Sequence, residues 1–200
     1  VPNSDANSAN RWPEAIQVAE NIHNGLVVGN MSVYTWWYIK RQYSLIEQNG
    51  SNGAITKRGY MMAPFSKYVR PGDVRIDATE QPNNNILVSA YKHSDTQIEV
   101  VAINKGNSEV SQQFNVSGRT IKNVDRVRSS GSENLVKTKG MEASGSSFYS
   151  QLPANSVSTY IITLDSDGKT VPKDPDAPVP AEPIAYDANG YYYHDKFEGS

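Results

Sequence analysis

The residues best equipped for chemistry lie close together between positions 36 and 43. Trp37 carries a flat aromatic ring, Arg41 a guanidinium and Tyr43 a phenolic hydroxyl. A guanidinium meets a planar carboxylate with two parallel hydrogen bonds, and aromatic faces bind flat ligands such as sugar rings. The same residue types have ordinary structural uses, because tryptophans often fill cores and most arginines lie on surfaces. Residue chemistry alone leaves both interpretations open.

A helix and a strand are predicted to position these residues. Pro13 and the polar residues before it precede apolar residues at helical spacing, which predicts a helix from about 12 to 27. The next run, Met31 to Tyr38, is rich in Val, Thr, Tyr and Trp and carries almost no charge. This composition predicts a strand buried on both faces, as in a parallel barrel. Side chains alternate along a strand, so Trp36 and Trp37 are expected to point in opposite directions.

A loop and a second helix follow the predicted strand. Asn, Ser and Gly between 49 and 53 indicate a long surface loop, the kind of segment that often carries function. The stretch from Gly59 to Tyr68 predicts a helix that Pro64 kinks or delays and that ends before Arg70-Pro71-Gly72. Residues 1–72 therefore have a mixed α/β pattern.

From Val74 the pattern changes to short strands with alternating apolar residues. Turn-forming clusters such as Pro82 to Asn85 separate these strands. The spacing is typical of an antiparallel β-sandwich, which we predict for residues 73–165. The predicted strands run from Val74 to Ala78, Ile86 to Tyr91, Ile98 to Asn104, Ser111 to Val116, Lys122 to Arg128, Phe148 to Leu152 and Val157 to Leu164.

The composition after the sandwich indicates a linker and the beginning of another unit. Prolines recur between 172 and 183 in a stretch poor in apolar residues, which predicts an extended linker over 166–186. Tyrosines and Phe197 then restore strand character, and residues 187–200 are interpreted as the start of a truncated module. The chain begins at Val1 without a basic or apolar leader, so it is interpreted as a fragment or a processed piece.

Charge and composition argue against several classes of function. The 200 residues carry a net charge of -2 with scattered lysines and arginines, so binding to nucleic acid or to a membrane is not expected. The longest apolar run is far shorter than the roughly 20 residues that cross a bilayer. The absence of cysteine excludes disulfides and thiolate chemistry.

No metal site and no cofactor are expected from the sequence. His23 lies on an amphipathic helix and is interpreted as a satisfied structural histidine, and His93 and His194 as solvated side chains. The run Asp165 to Gly168 has the beginning of a calcium-loop pattern, but the later ligands of such a loop are absent. A linker is the preferred interpretation of that run.

Several short segments, in a fixed order along the chain, carry a family resemblance. The segment Tyr34 to Tyr43, with the sequence YTWWYIKRQY, resembles the eighth barrel strand and following loop of glycoside hydrolase family 30 glucuronoxylanases. The resemblance extends from Val1 to about Leu164. Further matching segments are PNSD at 2–5, RWPEA at 11–15, IHN at 22–24, KRGY at 57–60, FSKYVRPG at 65–72, RIDAT at 75–79, VAINK at 101–105 and LPA at 152–154.

This resemblance implies a fold and an activity. Residues 1–72 would be the C-terminal part of a (β/α)8 TIM barrel, followed by the β-sandwich side domain. The activity would be that of a retaining endo-1,4-β-xylanase that requires glucuronic acid side groups on xylan. In that family both catalytic glutamates precede the position matching Val1, so this chain is expected to contain no catalytic residue. Alone it is predicted to be inactive, since the N-terminal part of the barrel is missing.

The resemblance also implies substrate-binding residues and a location. Arg41 and Tyr43 match the residues that bind the glucuronate side group, and Trp37 matches a residue that lines the sugar site. Ser8 matches a serine that hydrogen-bonds the same uronate. The expected partner is the polysaccharide glucuronoxylan, and the enzyme is expected to be secreted and extracellular, in a bacterium.

Two alternatives remain open at this point. A non-catalytic polysaccharide-binding module would also suit the β domain and the tyrosine-rich tail, because residues 193–200 resemble the opening of a xylan-binding module. A related family 30 xylanase with another specificity is the second alternative. The presence of Arg41 favours glucuronate recognition over that second possibility.

Overall fold

The computed structural model describes residues 8–48 and 53–166. In this part of the chain a short 3-10 helix, Ser8–Asn10, leads into α1 (Trp12–Leu26), and α2 (Lys57–Ser66) follows after an irregular segment. Strands make up most of the remainder. They are β1 (Val74–Ile76), β2 (Ile86–Ser94), β3 (Gln97–Asn104), β4 (Val110–Asn115), β5 (Ile121–Ser130), β6 (Val136–Thr138), β7 (Ala143–Ser144), β8 (Ser147–Leu152) and β9 (Ser156–Leu164).

The strand predictions for the β domain are confirmed. Each of the seven strands predicted from alternating apolar residues is present, with ends that differ by a few residues. The sequence did not indicate β6 and β7, which are three and two residues long and have no buried side chain. Strands this short and exposed leave no apolar alternation in a sequence.

The strands form two antiparallel sheets within the described residues. One sheet has the order β1-β2-β3-β9-β5-β6 and the other the order β4-β8-β7. Between them lies an apolar core whose centre is aromatic: the rings of Phe114, Phe148 and Tyr160 pack with centroids 4.9 to 5.2 Å apart. Two facing sheets with a shared core make this part of the chain a β-sandwich, as predicted.

The six-stranded sheet is buried on both of its faces. In β2, Ile86, Val88 and Ala90 face the sandwich core, whereas Leu87 and Tyr91 face the helices. The burial of successive residues explains why β2 reads as an almost continuous apolar run. The helices therefore belong to the same packed body as the sheet.

Helix α1 packs on the outer face of the six-stranded sheet through one apolar side. Ala15, Ala19 and Ile22 on this side are buried against the sheet and α2. At the start of the helix the indole nitrogen of Trp12 donates to the carbonyl oxygen of Asn155, 2.6 Å away. The prediction of a helix over 12–27 is confirmed, with the helix observed over Trp12–Leu26.

Helix α2 begins two residues before its predicted start and ends two residues before its predicted end. The Thr56 side chain caps it by accepting a hydrogen bond from the Gly59 amide, which fixes the start. Pro64 lies inside the helix without ending it. The carbonyl oxygen of Pro64 accepts a hydrogen bond from the Thr159 hydroxyl at 2.7 Å, which ties the end of α2 to β9.

The strand predicted for residues 31–38 is absent, and this prediction was wrong. The segment is irregular, and Met31, Val33 and Trp37 are exposed rather than buried. A buried parallel strand needs hydrogen-bonded neighbours along both edges, and no described strand lies beside this segment. The nearest β feature is a single parallel bridge between Lys40 and Ile46.

Some predictions fall outside the described residues or are not tested by them. The linker over 166–186 lies outside apart from its first residue, and the module start over 187–200 lies outside entirely. The division into a barrel part at 1–72 and a sandwich at 73–165 stays a prediction. Neither helix of the described residues is both long and apolar enough to cross a membrane.

Candidate functional site

Trp37, Tyr38 and Arg41 form one exposed surface, which we call the aromatic–arginine surface. The ring of Trp37 lies 4.3 Å from that of Tyr38, centroid to centroid, at an interplanar angle of 42°. The guanidinium carbon of Arg41 lies 4.7 Å from the centroid of the Tyr38 ring. Attraction between a cation and the face of an aromatic ring favours this position of the guanidinium. The positive guanidinium of Arg41 and the exposed indole of Trp37 thus both contact the ring of Tyr38.

The adjacent tryptophans lie in different surroundings, although they are not on the strand from which opposite directions were predicted. Trp36 is half-buried against the cluster formed by α1, α2 and the sheet. Trp37 is 68% exposed, and the peptide bond after it is cis. Packing therefore accounts for Trp36, whereas Trp37 has an open face.

Arg41 and Tyr43 lie on one tight turn that follows the aromatic–arginine surface. The amide of Ser44 donates to the carbonyl oxygen of Arg41 at 3.0 Å, and Ile46 closes the segment by donating to the carbonyl of Ile39. Tyr43 is half-buried and Arg41 is exposed. The turn therefore brings the two predicted substrate-binding residues together.

Ser8, the fourth predicted site residue, begins the 3-10 helix that precedes α1. Its side chain lies outside the described part of the chain. Asn10 of the same 3-10 helix is joined to the region around the turn, because its side chain donates to Glu47 and accepts from the amide of Lys57, each over 3.2 Å. The structure thus places the 3-10 helix that begins at Ser8 close to the turn, and the role of the Ser8 side chain stays a prediction.

Thr56 holds the turn against the beginning of α2. Its hydroxyl donates to the carbonyl oxygen of Ser44 at 2.6 Å, and its amide donates to the carbonyl oxygen of Leu45 at 3.0 Å. The same hydroxyl oxygen accepts from the Gly59 amide as the helix cap. One buried side chain thus ties the start of α2 to the turn that carries Arg41.

Arg58 is a second, fully buried link between the turn and the helices. Its Nη1 donates to the carbonyl oxygen of Tyr43 at 2.7 Å, and its Nη2 pairs with the Glu14 carboxylate of α1 at 3.1 Å. The guanidinium carbon also lies 5.4 Å from the centroid of the Trp36 ring. A buried cation needs such partners, because removing a charged group from water without them costs on the order of several kcal/mol.

Gly59 permits the close approach of α2 to the turn. A β-carbon at this position would lie 2.5 Å from the carbonyl oxygen of Leu45 and 2.5 Å from Cγ2 of Ile55. No side chain fits there without movement of the backbone. The glycine is therefore needed by the packing of the turn on α2.

Sequence reasoning predicted Arg41 and Trp37 but missed the residues that position them. Tyr38 was read only as part of an apolar strand, and its contact with Arg41 depends on the irregular backbone between them. Arg58 was noticed only within the motif KRGY at 57–60. The sequence feature that could have pointed to Arg58 is its position directly before Gly59, at the start of a predicted helix.

A second cluster of polar side chains lies away from the aromatic–arginine surface. Asp73, His93 and Glu99 place potential ligand atoms within 4.8 Å of one another, close enough that side chains of these types could hold a metal ion. His93 is exposed, as predicted, and in addition its Nδ1 lies 2.8 Å from Oδ1 of Asp73.

A comparison with protein-family models supports the β-sandwich fold. Residues 72–160 match the family model of the glycosyl hydrolase family 30 beta sandwich domain. These residues are therefore similar to that domain, and the resemblance inferred from the short segments is confirmed.

Individual relatives are xylan-degrading enzymes. The chain is 50% identical over 161 residues to Glucuronoxylanase XynC of Bacillus subtilis (strain 168), a match that covers 80% of this chain and 37% of the relative. The chain therefore spans a little over one third of the length of that relative.

Solved structures show the same similarity. A GH30 endoxylanase from Clostridium papyrosolvens C71 superposes with a TM-score of 0.72 at 33% identity, covering 80% of this chain and 40% of that one. The GH30 subfamily 8 xylanase Xyn30A from Clostridium acetobutylicum gives a TM-score of 0.71 at 36% identity, covering 77% and 40%.

Proposed function

We propose that this chain is part of a secreted bacterial glycoside hydrolase that cleaves glucuronate-substituted xylan with retention of configuration. In this proposal the chain supplies groups that bind the glucuronate and does not supply the catalytic glutamates. The observation that carries the proposal is the aromatic–arginine surface, which presents a guanidinium beside an open indole face. The 50% identity to a glucuronoxylanase supports the same conclusion.

Arg41 would bind the carboxylate of the glucuronate. Its guanidinium is exposed and already contacts the Tyr38 ring. This contact reduces the side-chain conformational entropy that Arg41 would lose when a ligand binds. Two parallel hydrogen bonds to a planar carboxylate would follow, a geometry that an ammonium group does not reproduce. The open face of Trp37 would stack on a pyranose ring, and the hydroxyls of Tyr43 and Ser8 would add hydrogen bonds.

The irregular segment and the helices would complete a (β/α)8 barrel in the whole enzyme. Exposed apolar side chains support this part of the proposal. Met31 and Val33 in the segment whose composition predicts a buried strand, and Ile39 just after it, are each more than half exposed. Pairing with barrel strands from the N-terminal part of the protein would bury them. The segment would then end at the carboxyl edge of the barrel, where such barrels bind substrate.

Catalysis would depend on that N-terminal part. Retaining hydrolysis needs two carboxylates about 5 Å apart, one acting as nucleophile and the other as acid and base. Both are expected upstream of Val1, so the isolated chain should not hydrolyse xylan. A polymeric substrate also requires the enzyme to act outside the cell, which is why secretion is part of the proposal.

The test compares variants of the protein extended upstream to include the rest of the barrel. Arg41→Lys keeps the charge and removes the bidentate geometry, and should lower kcat/KM on glucuronoxylan about tenfold or more. Hydrolysis of unsubstituted xylo-oligosaccharides should change little. Lys40→Gln removes a neighbouring charge and serves as the control. Equal activity of the wild type on substituted and unsubstituted xylan would rule out the binding role of Arg41.

The non-catalytic alternative makes a different prediction. If the sandwich itself bound polysaccharide, the 200-residue chain would be retarded in a native gel containing glucuronoxylan, whether or not Arg41 is present. Under the proposal, any retardation should depend on Arg41. Retardation of Arg41→Lys equal to that of the wild type would favour the binding module.

A further inference from the structure

Three polar side chains that are distant in sequence meet at one end of the six-stranded sheet. Asp73 comes from the connection between α2 and β1, His93 from β2 and Glu99 from β3. Their potential ligand atoms all lie within 4.8 Å of one another. The cluster shares no residue with the turn that carries Arg41, so a site here is independent of the proposed function.

A β-bulge places His93 in the cluster. The pairing of β2 with β3 is regular up to Lys92, opposite Ile98, and then shifts so that Ser94 lies opposite Gln97. His93 is the extra residue and has no partner in the register. Bulges re-aim side chains and are found next to functional sites. Here the imidazole reaches Asp73, with Nδ1 2.8 Å from Oδ1.

Glu99 contributes a buried carboxylate with an unused oxygen. The residue is only 2% exposed. Its Oε1 accepts a hydrogen bond of 2.6 Å from the Gln97 side chain, but among the described residues no donor reaches the buried Oε2. Burial raises the pKa of this carboxyl, and the nearby Asp73 carboxylate raises it further. A buried oxygen of this kind normally has a partner.

The Asp73 carboxylate is held in position by a backbone hydrogen bond. Its side chain is 2% exposed, and its Oδ2 accepts a hydrogen bond from the Arg70 amide at 2.6 Å. This backbone contact leaves Oδ1 directed at His93. Fixing one carboxylate oxygen while the other faces the site is how surrounding hydrogen bonds orient metal ligands.

We propose that Asp73, His93 and Glu99 bind one divalent transition-metal ion of the Zn²⁺ type. One imidazole nitrogen and two carboxylates form a ligand set that suits zinc, whereas calcium and magnesium prefer oxygen ligands alone. Tetrahedral ligation at about 2.1 Å needs ligand atoms about 3.4 Å apart, so modest side-chain rotation would close the site. The half-exposed His93 leaves one side open for a water ligand.

The ion would act as a clip within the fold. It would join the connection after α2 to the β2–β3 hairpin, and so fasten the helices to the sheet. It would also give the Glu99 Oε2 the positive partner that the described residues do not supply. Because an ion of this kind binds the folded state, it should stabilise the protein by an amount that rises with the logarithm of the ratio of free ion concentration to Kd.

The test is a titration of the 200-residue chain, purified with EDTA and without a histidine tag. Isothermal calorimetry with ZnCl₂ should show one ion per chain, and Co²⁺ should give the visible absorption of a four-coordinate site. Zn²⁺ should raise the melting temperature, and EDTA should reverse the rise. Binding with no thermal shift, or no binding, would overturn the proposal.

Variants decide whether these three residues are the ligands. His93→Gln and Glu99→Gln should each weaken Zn²⁺ binding by more than about tenfold and abolish the Co²⁺ absorption. Asp77→Asn removes an exposed carboxylate just after β1, and His194→Gln removes a histidine near the end of the sequence. Both variants should bind as the wild type does. Circular dichroism checks that each variant is folded, and the surface position of His93 makes its variant the safer one. Binding that survives Glu99→Gln, or that His194→Gln abolishes, would contradict the assignment.

Discussion

Arg58 donates a hydrogen bond from Nη1 to the carbonyl oxygen of Tyr43 over 2.7 Å. The same guanidinium pairs with Glu14, so one buried cation connects α1, α2 and the turn that carries Arg41. The exposed residues of the site therefore depend on a residue that is itself fully buried. Positioning of this kind is common where a loop must hold a geometry without regular hydrogen-bonded structure.

Replacement of Arg58 by methionine should destabilise the chain. The change leaves the Tyr43 carbonyl and the partly buried Glu14 carboxylate without this donor, and breaking a buried pair costs about 3 kcal/mol. Urea denaturation followed by circular dichroism measures the loss. Glu14→Gln and the double variant complete a thermodynamic cycle, and a coupling energy near zero would show that the pair does not act as a unit.

Replacement of Gly59 by alanine should displace the turn. The added methyl would lie 2.5 Å from the Leu45 carbonyl oxygen, a backbone atom that cannot rotate away. We expect a loss of about 1–3 kcal/mol, measured by urea denaturation.

A matched glycine in α1 provides the control for this effect. At Gly25 the nearest atom to an added methyl is Sδ of Met31, 3.6 Å away, so alanine fits there. Since alanine favours helix, Gly25→Ala should be neutral or stabilising by up to about 1 kcal/mol. Equal losses at both positions would mean that the close approach at Gly59 is not the cause.

The sandwich could be predicted from the sequence because its signal is local. Alternating apolar residues in β8, for example, report directly on which side chains are buried. The segment over 31–38 has an equally clear composition and yet is not a strand. Composition states what a segment favours, but strand formation also needs neighbours, which a local pattern does not reveal.

The candidate site was predictable only in part for a related reason. Arg41 and Trp37 could be assigned by resemblance, since their motif is contiguous. The cluster of Asp73, His93 and Glu99 depends on a bulge and on a connection between elements. Neither leaves a recognisable spacing in the sequence, so the sequence does not indicate that His93 contacts Asp73.

His23 should make the stability of the chain depend on pH. Burial lowers the pKa of this histidine below its ordinary value of 6.5, an effect that Glu80 and Glu20 oppose and that Lys105 and Arg75 reinforce. Between the lowered pKa of the folded state and 6.5, the unfolded chain binds a proton that the folded chain excludes. The free energy of unfolding should therefore fall as the pH drops below about 6.5.

Variants at the histidines test this assignment. The free energy of unfolding is measured by urea denaturation as a function of pH, from about pH 5 to about pH 8, for the wild type and for His23→Gln. The variant should lose most of the slope just below pH 6.5, whereas His194→Gln should retain it. An unchanged slope in His23→Gln would place the responsible group elsewhere.

Tyr38 should contribute to glucuronate recognition through its ring and not through its hydroxyl. Its ring lies under the guanidinium of Arg41 at 4.7 Å, and an exposed cation–π contact is worth about 0.5–1 kcal/mol. In the extended enzyme, Tyr38→Leu should therefore reduce the preference for substituted over unsubstituted xylan about threefold, read as a ratio of kcat/KM values. Tyr38→Phe keeps the ring and should retain the preference. If both variants lost it equally, the hydroxyl would be the important group, and the ring would not be what positions Arg41.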